Sequence, residues 1–131
     1  MPYMLLIIEP PGQRRTRTLA EGEQVYERML RFGAGLRERG LLLASESLES
    51  QAGAARVEMR GGRRSVLDGP FAEAKEMVGG FFLVDCRTRD EAIAIAAECP
   101  AAEWCSVEVR ALAPCYEDAM APPRAPVAGH S

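Results

Sequence analysis

The spacing of apolar positions changes period several times along the chain, and each change marks an element. Tyr3 to Glu9 (YMLLIIE) is a compact apolar run closed by Pro10-Pro11-Gly12, which predicts a strand buried on both faces. After the basic loop QRRTRT, Thr18 is followed three residues later by Glu21. This is the spacing of a capping box, in which each side chain satisfies a free backbone N–H of the other, so a helix is expected to start there. Val25, Met29, Phe32 and Leu36 recur at helical spacing, with Tyr26, Leu30 and Gly33 beside them, and Gly40 stands where a left-handed residue ends a helix. That stripe reads as core rather than as a cofactor-binding face.

Leu41 to Leu48 predicts a second strand, followed by the polar loop SQAGA. AARVEMR, Gly61-Gly62 and RRSVLD then form a hairpin, because both glycines can take the positive φ of a two-residue type I′ turn. Such a turn sets Arg60 opposite Arg63, Met59 opposite Arg64, Glu58 opposite Ser65 and Val57 opposite Val66. Two arginines face to face call for a negative charge nearby. Met77 to Cys86 (MVGGFFLVDC) is a long strand with Phe81/Leu83 on one face and Phe82/Val84 on the other, and Gly79-Gly80 marks a bulge or a close backbone approach. Thr88 and Glu91 open a second helix whose Ala92, Ile95, Ala96 and Cys99 face the core, and Pro100 ends it. The last strand is expected over Glu103–Leu112, with Cys105, Val107, Val109 and Ala111 on one face and Trp104, Ser106, Glu108 and Arg110 on the other. Residues 1–113 form the predicted domain, and 114–131 read as a Pro- and Ala-rich tail.

Without the hairpin, the order is strand, helix, strand, strand, helix, strand. That is the split βαβ, ferredoxin-like pattern of an α+β domain, here with an inserted hairpin. Two helices cover one face of such a sheet, yet its central strands are apolar on both. A second copy of the chain is the simplest cover, which predicts a homodimer built as an α+β barrel.

A chain of 131 residues with a formal net charge of −3 weakens any reading as a nucleic-acid binder, which needs many Lys and Arg to neutralise phosphates. Cys86, Cys99, Cys105 and Cys115 contain no CxxC pair, and His130 is the single histidine, so neither a metal site nor a cofactor is expected. Each cysteine reads as a small apolar side chain. No apolar run reaches the ~18 residues that a membrane span requires, so a cytoplasmic protein with reduced thiols is expected.

Candidate chemistry centres on DGPFAEAKE, Asp68 to Glu76. Asp68 can accept N–H bonds from the turn after it, Pro70 suits a first helical position and Glu73 suits a helix N-terminus, which makes the segment a capped turn. The functional alternative makes Asp68 an acid or base, with Glu73, Lys75 and Glu76 contacting a ligand. Arg60 and Arg63 are candidates for holding an anion and otherwise solvated charges, whereas Arg14, Arg15, Arg17 and Arg64 read as solvated loop charges. Trp104, Glu108 and Arg110 would form a small-molecule pocket if their common face points inward; period two leaves that orientation open.

YMLLIIE, DGPFAEAKE, GGFFLVDC and SVEVRAL occur in the order and at about the spacing of the YCII-related proteins with a DGPF motif, and the chain resembles them over residues 2 to 113. The resemblance implies a ferredoxin-like dimeric α+β barrel, within a superfamily that includes lactone isomerases and a dehydrochlorinase. Many relatives carry a His–Asp pair proposed as an acid–base site. Here the helix EQVYERMLRFGAGL lacks a histidine, and Cys99-Pro100 stands where relatives have His-Pro or Asp-Pro. The resemblance also implies an association with extracytoplasmic-function sigma factors. Two functions follow: a protein binding a small, anionic ligand with a regulatory role, or a cofactor-free lyase or isomerase using Asp68.

Overall fold

A computed structural model describes residues 2–116. Most of the expected tail, residues 117–131 with His130, lies outside the described residues. In chain order the elements are β1 (Pro2–Glu9), α1 (Leu19–Glu38), β2 (Leu42–Ser47), β3 (Ala55–Arg60), β4 (Arg63–Asp68), β5 (Met77–Asp85), α2 (Arg89–Glu98) and β6 (Ser106–Ala111). The main sheet has the strand order β2-β5-β1-β6, with every neighbouring pair antiparallel. With both helices on one face, this is the ferredoxin-like α+β arrangement, and β3 and β4 form the inserted hairpin.

Local signals in the sequence set most element ends. Thr18 Oγ1 accepts the Glu21 N–H at 3.1 Å while Glu21 Oε1 accepts the Thr18 N–H at 2.9 Å, the complete capping box. These bonds hold the Glu21 carboxyl below its ordinary pKa. At the other end of α1, Gly40 has φ +71°, and the N–H groups of Gly40 and Leu41 donate to the Arg37 and Leu36 carbonyls. That pair is a Schellman closure, and it needs the positive φ that glycine supplies without strain. In α2 only half of the expected box forms: Thr88 caps Glu91, but the Glu91 carboxylate accepts the Arg87 N–H instead.

The core lies between the sheet and the two helices. Leu5, Leu36, Val84 and Cys99 are fully buried, and each large apolar side chain contributes about 1.5–3 kcal/mol by leaving water. Phe32 of α1 meets Phe82 of β5 edge to face at 5.0 Å, while Ala92, Ile95 and Ala96 of α2 close the cluster. Alternation along β1 sends Leu5, Ile7 and Glu9 to this side and Met4, Leu6 and Ile8 to the other. In register with those, Phe81 and Leu83 lie on the helix-free face, as the alternation predicted.

The hairpin register is the one expected from Gly61-Gly62, and both glycines have positive φ. The charge beside the facing arginines is Glu58, with Arg60 at 3.7 Å. A bulge also forms at the glycine pair: β1 pairs Ile7 with Gly80 and Ile8 with Val78, leaving Gly79 unpaired.

Two sequence expectations are corrected. Residues 69–76 contain no helix, so Pro70 and Glu73 open nothing. Asp68 ends β4 opposite Ala55, the Gly69 N–H donates to the Ala54 carbonyl at 2.7 Å, and Phe71 is buried with the Arg56 guanidinium 3.8 Å above its ring centre. These contacts fix the segment before a helix could gain its second turn. The last strand starts at Ser106 rather than Glu103, because Pro100–Glu103 form a 3-10 turn whose Ala101 carbonyl accepts the Trp104 and Cys105 N–H groups. Trp104 therefore leaves the face of Glu108 and Arg110. It packs against the core side, while Val107 and Val109 turn inward and Glu108 and Arg110 stay exposed on the helix-free face.

Candidate functional site

Between α1 and the sheet lies a cleft of about 410 Å³. Its floor comes from Ile7, Leu42 and Phe82, and its wall from α1 residues spaced along one side, among them Gly22, Val25, Met29 and Gly33. Gly33 is needed for the close approach: a Cβ there would stand 3.3 Å from the Phe82 ring. Leu36 and Phe32, on the neighbouring stripe of the same helix, close onto the core instead. The core-only reading of the α1 stripe is thus divided, since Val25 and Met29 also border open space.

One end of the cleft is polar. Glu9 is in phase with Leu5 and Ile7, so its side chain enters the protein and is 6% exposed. Arg14 compensates this charge. Its Nε donates to Glu9 Oε1 at 2.8 Å, and its other nitrogens donate to the Leu48 and Gly79 carbonyls at 2.7 and 3.2 Å. Gly79 lets this happen, because a Cβ at that position would lie 2.5 Å from Glu9 Oε1 and 2.9 Å from Arg14. The bulge therefore makes room for a buried ion pair. Beside it the Trp104 ring carries two guanidinium groups, Arg17 at 5.7 Å and Arg28 at 5.3 Å from its centre. Arg28 is also paired with Glu103. Gln13 donates to the Trp104 carbonyl at 2.7 Å and fixes the turn that presents the ring.

The thiols near the core are chemically quiet. Burial pushes Cys99 and Cys86 above the ordinary thiol pKa, and pushes Cys105 up to about 11, with Glu9 adding to the shift. A raised pKa suppresses the thiolate that nucleophilic chemistry needs.

Of the residues read in the sequence as candidates for a site, Trp104 alone borders this cleft; Arg14 and Arg17, read as solvated loop charges, border it too. Asp68 is exposed at the end of β4, and Glu73, Lys75 and Glu76 are exposed in the irregular segment after it. Arg60 and Arg63 flank the exposed hairpin turn. Glu108 and Arg110 lie across from Leu6 and Met4 on the helix-free face. Within one chain the structure does not bring these groups together. Glu9, Arg14 and Arg17 were missed as a cluster, although Glu9 falls in phase with Leu5 and Ile7, which was a readable signal of burial.

Over residues 1–115 the chain matches the family model of the YCII-related domain. It is also 41% identical over 78 residues to an uncharacterized protein of Rhizobium meliloti (strain 1021), which covers 58% of this chain. The match spans 63% of that protein's length.

Proposed function

From the premise that this chain belongs to the YCII-related family, we propose that it is a small-molecule-binding protein whose site is the cleft under α1, acting as a homodimer. The observation that carries this is the composition of the cleft. An elongated apolar interior of a few hundred cubic ångströms ends in a small set of fixed polar groups, which is the usual make-up of a small-ligand site. The buried Glu9–Arg14 pair and the Trp104 ring supply orientation, and Gly79 lets that pair pack closely against the sheet. Dimerisation is supported by the helix-free face, where Met4, Leu6, Ile8, Phe81 and Leu83 are only half-buried in the single chain. Ligand binding takes precedence over acid–base chemistry at Asp68, because that carboxylate is exposed and does not border the cleft.

Ala34 borders the cleft from an exposed helical position, so Ala34→Trp should fill the space without entering the core. A library of small organic acids, alcohols and amines screened by ligand-observed NMR should give compounds that bind the wild type and not this variant. Its helicity and dimeric sedimentation should be unchanged. Compounds that bind both proteins equally, or a wild type that binds none, would sink the proposal.

A further inference from the structure

Resting on the cleft as the binding site, we infer that its ligand is a carboxylate with an unbranched apolar tail, the carboxylate seated on Arg17 beside Trp104 and the tail running along α1. The direction of the tail follows from the helix. Gly22 and Arg37 both border the cleft and are separated by about 22 Å of helix axis, so the space is long rather than round. Between those ends the helix contributes Val25, Met29 and Leu30, and the sheet contributes Leu42 and Phe82; the hydroxyl-bearing Tyr26, Ser45 and Ser47 also border the space, so the apolar side chains dominate its lining without filling it.

The position of the charge follows from which cations are free. Arg14 is held by Glu9 and two backbone carbonyls, and Arg28 by Glu103. Arg17 is half-buried, sits over the Trp104 ring, and makes no ion pair among the described residues. Its neighbour Glu21 has its carboxylate engaged in the Thr18 capping box. Glu46 borders the cleft too, but it pairs in register with Phe81, so its side chain belongs to the opposite face of the sheet. Among the groups that line the polar end of the cleft, Glu9 is matched by Arg14, which leaves Arg17 as the cation without a bonded partner there, with the charge of Glu21 within Coulombic reach outside the lining. Arg37, at the other end, is exposed, and an anion there would gain little in water. A guanidinium lying over an aromatic ring is drawn to its face and still offers N–H groups to a carboxylate, so Arg17 is the better seat.

Trp104 is the protein's single tryptophan and borders the site, so its emission reports occupancy directly. Wild type, Arg17→Ala and Arg17→Lys are titrated with octanoate, 1-octanol and acetate at constant ionic strength. Calorimetry provides a second readout, because removing Arg17 alters the resting emission of Trp104. Octanoate should saturate the wild type at least tenfold more tightly than octanol or acetate. Arg17→Ala should lose that tenfold preference while keeping its octanol affinity, and Arg17→Lys should retain part of it. Equal binding of octanoate and octanol, or an octanoate affinity indifferent to Arg17→Ala, overturns the inference and leaves the cleft standing as a site for neutral ligands. Absence of saturable binding by octanoate overturns it as well. The Ala34→Trp screen then decides separately whether the cleft binds anything.

Discussion

Arg14→Met isolates what the buried ion pair contributes. The substitution keeps an apolar stem and removes the 2.8 Å bond to Glu9 together with the bonds to the Leu48 and Gly79 carbonyls. Glu9 is then left without its partner, its side chain only 6% exposed. Removing one partner of a buried pair costs about 3–5 kcal/mol. Because the Arg14 side chain is 33% exposed, water can partly replace the guanidinium, so the loss should fall near the lower end, about 3 kcal/mol. Glu9→Gln keeps a carbonyl oxygen for Arg14 and removes only the charge, a change nearer 1 kcal/mol. In the double variant no buried charge is left unpaired. Its loss should therefore be smaller than the two single losses added, by about 1–2 kcal/mol. Urea denaturation at one fixed chain concentration, followed by circular dichroism, gives all four stabilities, and equal m values would show that the unfolded state is unchanged. Additivity within about 0.5 kcal/mol, or a loss below about 1 kcal/mol for Arg14→Met, would refute the claim that Arg14 compensates a buried carboxylate.

Other positions give sharper or simpler readouts. Gly69→Ala would place a Cβ 1.9 Å from the Gln51 carbonyl oxygen, so the backbone must shift, and a loss of about 1–3 kcal/mol or of soluble protein is expected; a variant as stable as wild type would contradict the close approach. Asp68→Asn and Asp68→Ala should both stay within about 0.5 kcal/mol of wild type in the same denaturation assay, since Asp68 is exposed and caps no helix, and a selective loss in the Ala variant would restore the capping role. With iodoacetamide at pH 8, mass spectrometry should find Cys115 alkylated first. A Cys105 pKa raised to about 11 leaves about one thiol in a thousand as thiolate at that pH, and its labelling should climb as pH approaches 11.

Elements with their own local chemistry were legible from the sequence. The Thr18–Glu21 box, Gly40 and Gly61-Gly62 each demand one backbone geometry, and each received it. Misreadings occurred where a distant contact competed with a local preference. DGPFAEAKE carries good residues for a helix start, but the Ala54 carbonyl and Arg56, both from the hairpin and its approach, hold Gly69 and Phe71. Glu103 to Leu112 alternates like a strand from its first residue, yet Pro100 sets a 3-10 turn that consumes Glu103 and turns Trp104 by a half-period. Arg14 looked solvated because two of its three acceptors lie 34 and 65 residues away.

The cleft was written in the sequence in a different sense. Periodicity marks which arc of a helix is apolar but says nothing about how far that arc stands from the sheet. On α1 the apolar arc is wider than the core needs. Phe32 and Leu36 reach Phe82 and its neighbours, and beside them Val25, Tyr26 and Leu30 form a second stripe over no facing element, with Tyr26 and Leu30 more than half exposed. Gly22 and Ala34 on that same side contribute almost no volume, while Gly33 lets the helix close onto Phe82. A helix that buries one stripe and leaves the next facing small residues must leave a gap against the sheet. An excess of apolar positions next to glycine and alanine was therefore the readable sign of a cleft, whereas in DGPFAEAKE it is Gly69 and Phe71, not the charged side chains, that hold a loop in place.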